Sequence, residues 1–256
     1  PWALVNAAGY GRIDRAEHEP EACFRENRDG AATLADACAG HGIPLLTFSS
    51  DMVFDGTAGK PYLESHRPAP LNVYGLSKAE AEQRVLEAHP ASLVIRPSAF
   101  FSPWDEHNFL TAALRALASG ETFTAADDAV VSPTYVPDLV NMSLDLLIDG
   151  ERGIWHLANS GAVTWAELAR LAAEMAGLDA SGVKGCAMRA LEGATAPRPA
   201  YSVLGSERGA LLPSLNESLA RYIGECTASW KTDLQPAHAA SAASSAKRWI
   251  GERQSA

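Results

Sequence analysis

Nothing in this sequence is arranged to hold a metal ion. Its seven histidines are dispersed, and none stands at helical spacing from a second ligand, so neither a structural nor a catalytic metal is expected. The four cysteines, Cys23, Cys38, Cys186 and Cys226, form no metal-ligand spacing. Cys23 and Cys38 fall in an expected helix and read as buried thiols of a reduced, cytoplasmic protein. There is no long apolar run and no visible signal peptide, which leaves no membrane call to make. Lys and Arg number 21 against 31 Asp and Glu, a formal net charge of −10. No basic stripe is available to neutralise phosphates, which argues against nucleic acid or an anionic membrane as a partner. No internal repeat occurs. What remains is a chain of 256 residues, 47% apolar and 20% charged, ordinary for a soluble globular enzyme with one good core or two small ones.

The elements alternate as an α/β protein requires. Ala3 to Ala7 reads as a short strand, Glu21 to Ala39 as a helix, Pro44 to Ser49 as a buried strand and Asp55 to Pro70 as a loop. A helix is expected from about Asn72 to Ala88, a strand from Ser92 to Arg96, and a helix from Asn108 to Ser119. Pro137-Asp138 opens a helix ending near Ile148, Gly153 to Leu157 returns as a strand, and Thr164-Trp165-Ala166-Glu167 is a capping box launching a helix to Ala176. From Thr227 to Ala256 the composition becomes low in complexity and reads as a mobile tail, in which Lys247-Arg248-Trp249-Ile250 is a candidate docking helix.

Chemistry enters with Tyr74 and Lys78. Four residues apart on a helix, they share a face, so the ammonium lies beside the phenol. A fixed cation there favours the phenolate and draws a tyrosine toward a useful acid/base range, while a hydroxyl such as that of Ser50 holds a substrate oxygen. In open α/β sheets ligands collect at the carboxyl ends of strands, where Ser50 is expected. Such a trio suits reduction of a carbonyl by a nicotinamide.

Five segments then occur in one order: Val5-Asn6-Ala7-Ala8-Gly9-Tyr10, Asp14-Arg15-Ala16-Glu17, Ser49-Ser50-Asp51-Met52-Val53-Phe54-Asp55-Gly56, Pro70-Leu71-Asn72-Val73-Tyr74-Gly75-Leu76-Ser77-Lys78 and Ser132-Pro133-Thr134-Tyr135. Together they resemble the dTDP-4-dehydrorhamnose reductase family of extended short-chain dehydrogenases/reductases. The resemblance implies an NAD(P)-binding Rossmann-like parallel sheet over residues 1–158, with an excursion near 99–126 into a small α/β substrate-binding domain completed by 159–226. It implies Tyr74 as general acid, Lys78 as its partner and a ribose ligand, and Ser50 as the third catalytic hydroxyl. Asn6, Ala7, Ala8, Tyr10 and Ser49 are implied to line NADPH or NADH, and Asp51, Asn108 and Arg198 the sugar nucleotide. Asn27 matches an asparagine that shapes the site in the superfamily. A homodimer is a possible assembly.

Three departures accompany the resemblance. Ser50 stands where the family usually has threonine, which keeps the hydroxyl. Met52 and Ala99 replace aromatic residues expected near the sugar. The strand, glycine-rich turn and helix that hold the pyrophosphate are missing, so a preceding segment is expected. Three readings stay open: a reductase of a 4-keto-6-deoxy sugar nucleotide, a noncatalytic sugar-nucleotide or regulatory module, and a related epimerase or dehydratase. Retention of Ser50, Tyr74 and Lys78 favours an enzyme.

Overall fold

The computed structural model describes residues 1–232, with side chains through residue 226. The chain begins with β1 (Leu4–Asn6), the short helices α1 (Ile13–Ala16) and α2 (Pro20–Phe24), a π-helical turn (Arg25–Asp29) running into α3 (Gly30–His41), β2 (Leu45–Phe48), α4 (Val73–Ala88) and β3 (Leu93–Arg96). It continues through β4 (Phe100–Phe101), α5 (Phe109–Ala118), β5 (Phe123–Ala126), β6 (Val130–Val131), β7 (Thr134–Tyr135), α6 (Val136–Ile148) and β8 (Gly153–His156). The last elements are β9 (Val163–Thr164), α7 (Trp165–Met175), β10 (Val183–Cys186) and α8 (Leu215–Thr232).

Strands β1, β2, β3 and β8 form one wholly parallel sheet in that order. The apolar runs Leu45-Leu46 and Leu93-Val94-Ile95 are buried because helices cover both faces. On one face Ala31, Ala35 and Cys38 of α3 and Ala81 and Val85 of α4 pack on Leu45 and Val94. On the other, Leu139, Leu146 and Leu147 of α6 pack on Leu46, Leu93 and Ile95. A second core joins α5, α7, α8, β5 and β10 around Leu110, Leu114, Phe123, Leu168 and Tyr222.

Local signals set several boundaries as expected. Asn72 caps α4, its Oδ1 accepting the Gly75 N–H at 2.7 Å, and Thr164 and Glu167 form the reciprocal capping box of α7. Gly75 has a packing reason: a Cβ there would collide with the Met52 carbonyl oxygen. Two expectations change. The helix anticipated over Glu21–Ala39 is interrupted by the π-helical turn, which carries Asn27 into the interior, 3% exposed. Helix α8 runs through residues 227–232, the start of the anticipated tail, continuing a helix whose Leu215, Leu219, Tyr222, Ile223 and Cys226 close the second core. The rest of that tail, including Lys247-Arg248-Trp249-Ile250, lies outside the described residues.

Behind the carboxyl ends of the strands sits a buried polar cluster. Arg96, at the end of β3, is 1% exposed and donates to Glu82 of α4 through Nε at 2.7 Å and Nη2 at 2.5 Å. Its Nη1 lies 3.2 Å from His156 Nε2. Guanidinium only donates, so Nε2 accepts and the ring proton sits on Nδ1, which donates to the Gly205 carbonyl at 2.8 Å. Burial, then the Arg96 charge, pushes the His156 pKa down, so the ring is a neutral strut. His156 is thus a strand histidine with both ring nitrogens satisfied.

Candidate active site

The carboxyl ends of β2 and β3 open on a cleft of about 800 Å³ between the sheet and the second core, lined by Gly9, Ser49, Ser50, Tyr74, Phe100 and Arg198 among others. Ser50 follows β2, and the first turn of α4 presents Tyr74 in the same cleft, near enough for the Ser50 hydroxyl to act on the phenol's pKa. The Ser50 Oγ accepts the Met52 N–H at 3.1 Å and donates to Asp51 Oδ1 at 3.1 Å. One turn along α4, the Lys78 ammonium stands 5.8 Å from the centroid of the Tyr74 ring and donates to the Phe48 carbonyl at 3.1 Å. The three residues expected to do the chemistry are therefore brought together.

Their electrostatics differ from the sequence-based expectation. Burial pushes the Tyr74 phenol well above its ordinary value, the Ser50 hydroxyl acts against this, and the Asp51 and Cys23 charges add to it. Lys78 is over the ring face and aimed at a backbone carbonyl, so burial outweighs the cation that spacing suggested would favour phenolate. The result is a tyrosine held firmly protonated. Lys78 is itself pushed down to about 8 by burial, with Cys23 and Glu82 acting in the other direction.

Asp51 is 3% exposed and forms the floor beneath Ser50. Its Oδ2 accepts from Ser98 Oγ at 2.8 Å and Ser202 Oγ at 2.6 Å. Burial raises its pKa against these three hydroxyl donors, Ser202, Ser98 and Ser50. Both carboxylate oxygens are thus engaged by the protein. Asn108, also expected to meet substrate, caps α5 through the Thr111 N–H at 3.0 Å, and its amide donates to the Ser102 carbonyl at 2.8 Å. Arg198 forms a forked pair with Asp14, with Nη1 to Oδ1 at 2.8 Å. Asp14 also accepts the N–H groups of Thr195 at 2.7 Å and Ala196 at 2.8 Å. Burial raises the Asp14 pKa, but Arg198 and these N–H donors hold it below the usual carboxylate range.

On the cofactor side, Asn6 closes β1, its amide donating to Thr47 Oγ1 at 3.2 Å, and Ala7 and Ala8 are exposed just beyond it. Asn27 pins Tyr10, two residues beyond Ala8. Its Oδ1 accepts the Tyr10 N–H at 2.8 Å, and its Nδ2 donates to the Tyr10 carbonyl at 3.0 Å and to Ser77 Oγ at 2.9 Å. The Tyr10 hydroxyl donates to Glu19 at 2.8 Å, and both residues line the cleft. A Cβ at Gly9 would stand 2.7 Å from Asn27 Oδ1 and 3.4 Å from Lys78 Nζ, so glycine keeps a narrow cradle open there. Ser49 Oγ is buried with no hydrogen-bond partner among the described residues, and Lys78 shows one of its three donors in use. An unspent hydroxyl and ammonium beside a glycine fit a vicinal diol such as the nicotinamide ribose. Among the described residues no group of His, Cys, Asp and Glu could hold a metal ion, and no helix is long and apolar enough to cross a membrane.

Sequence reasoning assigned no role to Asp14, Ser98, Ser202 or Glu82. Asp14 lies in a quoted segment, yet nothing local ties it to Arg198.

Comparison with known proteins agrees with this geometry. The family model described as RmlD substrate binding domain matches residues 1–245. A dTDP-4-dehydrorhamnose reductase of Mycolicibacterium smegmatis is 36% identical over 88% of this chain and 72% of its own. A dTDP-4-keto-6-deoxy-D-glucose reductase of Streptomyces niveus is 34% identical over 81% of this chain and 72% of its own. The crystal structure of dTDP-4-dehydrorhamnose reductase from Bacillus anthracis in complex with NADP superposes with a TM-score of 0.83 at 33% identity, covering 88% of this chain and 81% of that one. With residues 1–245 matched by the family model and the fold matched in space over 88% of the chain, the chain belongs to the dTDP-4-dehydrorhamnose reductase family, that of the RmlD substrate binding domain.

Proposed function

We propose that this chain carries the active site of an NADPH-dependent reductase that acts on the 4-keto group of a dTDP-linked 6-deoxy sugar, the chemistry of dTDP-rhamnose synthesis. One observation carries the reading: Ser50 and Tyr74, a phenol that burial keeps protonated, line one cleft, with the Lys78 ammonium 5.8 Å from the centroid of the Tyr74 ring. The names of the relatives support it, since those at 36% and 34% identity are reductases of this substrate class. The buried thiols of Cys23 and Cys38 suit a reducing cytoplasm.

Reducing a carbonyl requires a hydride at carbon and a proton at oxygen. NADPH, when bound, supplies the hydride. Tyr74 gives its phenolic proton to the carbonyl oxygen, and a raised pKa suits a group that must arrive protonated. Ser50 Oγ, held by the Met52 N–H, turns its one hydrogen from Asp51 to that oxygen as the second hydrogen bond. Lys78 stabilises the phenolate left on Tyr74 and holds ribose hydroxyls. The assay is direct: incubate the protein with dTDP-4-dehydrorhamnose and NADPH, follow the absorbance of the reduced nicotinamide, and identify the product as dTDP-rhamnose. Consumption of neither compound would reject the reading.

The Lys78 pKa makes a second prediction. Below about pH 8 the amine is charged and above it neutral. NADPH affinity is therefore retained at neutral pH and declines as pH rises through about 8, by about tenfold near pH 9 if the ammonium is required. Fluorescence titration across this range checks it, and Lys78→Met should flatten the profile.

A further inference from the structure

Phe100 is 52% exposed although it stands in the cleft wall. It belongs to β4, whose other residue, Phe101, is buried against Tyr135 and Tyr222 with ring centroids 5.2 and 5.6 Å away. Neighbouring strand residues face opposite sides, so anchoring Phe101 in the second core turns Phe100 outward into the cleft. The residue before it, Ala99, has φ of 40°, a left-handed value uncommon for any residue with a Cβ. That conformation is held from both sides: the Ala99 carbonyl accepts the Thr134 N–H at 3.1 Å, and the Ser98 N–H bonds Thr134 Oγ1 at 3.2 Å. Backbone strain of this kind persists where the surroundings over-determine it, and it clusters at ligand sites.

The same wall reaches the reacting groups. The Pro97 carbonyl accepts the Asp51 N–H at 3.0 Å, Ser98 Oγ donates to Asp51, and Asp51 orients Ser50. Phe100 lies two residues beyond Ser98, at most about 7 Å of backbone. That places its ring at the sugar end of a bound sugar nucleotide, short of the span to the base.

We propose that Phe100 is a specificity-determining residue whose ring packs against the methyl edge of a 6-deoxy sugar. A methyl group gains by leaving water against a phenyl face, whereas a 6-hydroxyl there loses its water without finding a hydrogen-bond partner. The assignment rests on the reductase reading and deepens it.

The test is calorimetric titration of wild type, Phe100→Leu and Phe100→Ala with three ligands that are not reduced: dTDP, dTDP-glucose and dTDP-6-deoxyglucose. Wild type is expected to prefer the 6-deoxy sugar by about tenfold, the scale of one buried methyl and one displaced hydroxyl. Phe100→Leu should keep most of that preference and Phe100→Ala should lose it, both binding dTDP as wild type does, which also reports that they are folded. An undiminished preference in Phe100→Ala overturns the assignment. So does a loss of dTDP affinity matching that of the sugar nucleotides, which would give the ring to the base. A wild-type protein that binds dTDP without distinguishing the two sugars overturns it as well. Wild type binding none of the three would instead overturn the reductase reading itself.

Discussion

Replacing Tyr74 by phenylalanine is expected to lower turnover by about 100-fold or more, the usual scale of a lost general acid, while leaving the dissociation constant for NADPH little changed. The substitution removes one hydroxyl from a ring that packs near Tyr10 and Cys23, so the site keeps its shape. The lost proton has no ready substitute, because Ser50 already commits its hydrogen to Asp51 when substrate is absent. Single-turnover and steady-state assays with dTDP-4-dehydrorhamnose separate the effects. Turnover within a few-fold of wild type would eliminate Tyr74 as the proton donor. Lys78→Met should differ in kind, raising KM for NADPH as well as lowering kcat, because one ammonium serves both the ribose and the phenolate.

Glu82→Gln should cost the largest share of stability, about 3 kcal/mol or more, since it leaves the Arg96 charge buried without its counter-ion. The Arg96 side chain is 1% exposed and Glu82 4%, and water has little access to compensate. Urea unfolding measures the loss. The paired replacement Glu82→Leu with Arg96→Met should recover much of it, because removing both charges abolishes the desolvation penalty as well as the attraction. A single variant as stable as wild type would mean that the pair is solvated in solution. Glu82 also raises the Lys78 pKa from one turn away on α4. Glu82→Gln should therefore move the pH dependence of NADPH binding to lower pH, a shift that a purely structural residue would not produce.

Much of the fold was legible because its signals are local. The alternation of buried apolar runs with helical stripes gave the four strands of the parallel sheet and their covering helices to within a residue or two, as Leu45–Phe48 and Leu93–Arg96 illustrate. The short strands β4, β6, β7 and β9, each of two residues, carry too few positions for any period to register. The π-helical turn at Arg25–Asp29 escaped for a different reason. Its extra residue is stabilised by Asn27 reaching Tyr10 and Ser77, partners 17 and 50 positions away.

The sequence by itself determined which chemical groups this protein possesses and which of them share a helix face. Tyr74 and Lys78 follow from the geometry of one turn, and the capping box of Thr164 and Glu167 from the donors that every helix leaves open. Tertiary structure alone decided what surrounds those groups. It joined Asp14 to Arg198 across 184 positions and Asp51 to Ser202 across 151, sealed Glu82 with Arg96, and turned Phe100 into the cleft. It also reversed the expected direction of the Tyr74 shift. Spacing specifies how near a cation lies, but the cost of ionising a phenol depends on how much water the whole fold removes from it, and that is a sum over residues from every part of the chain.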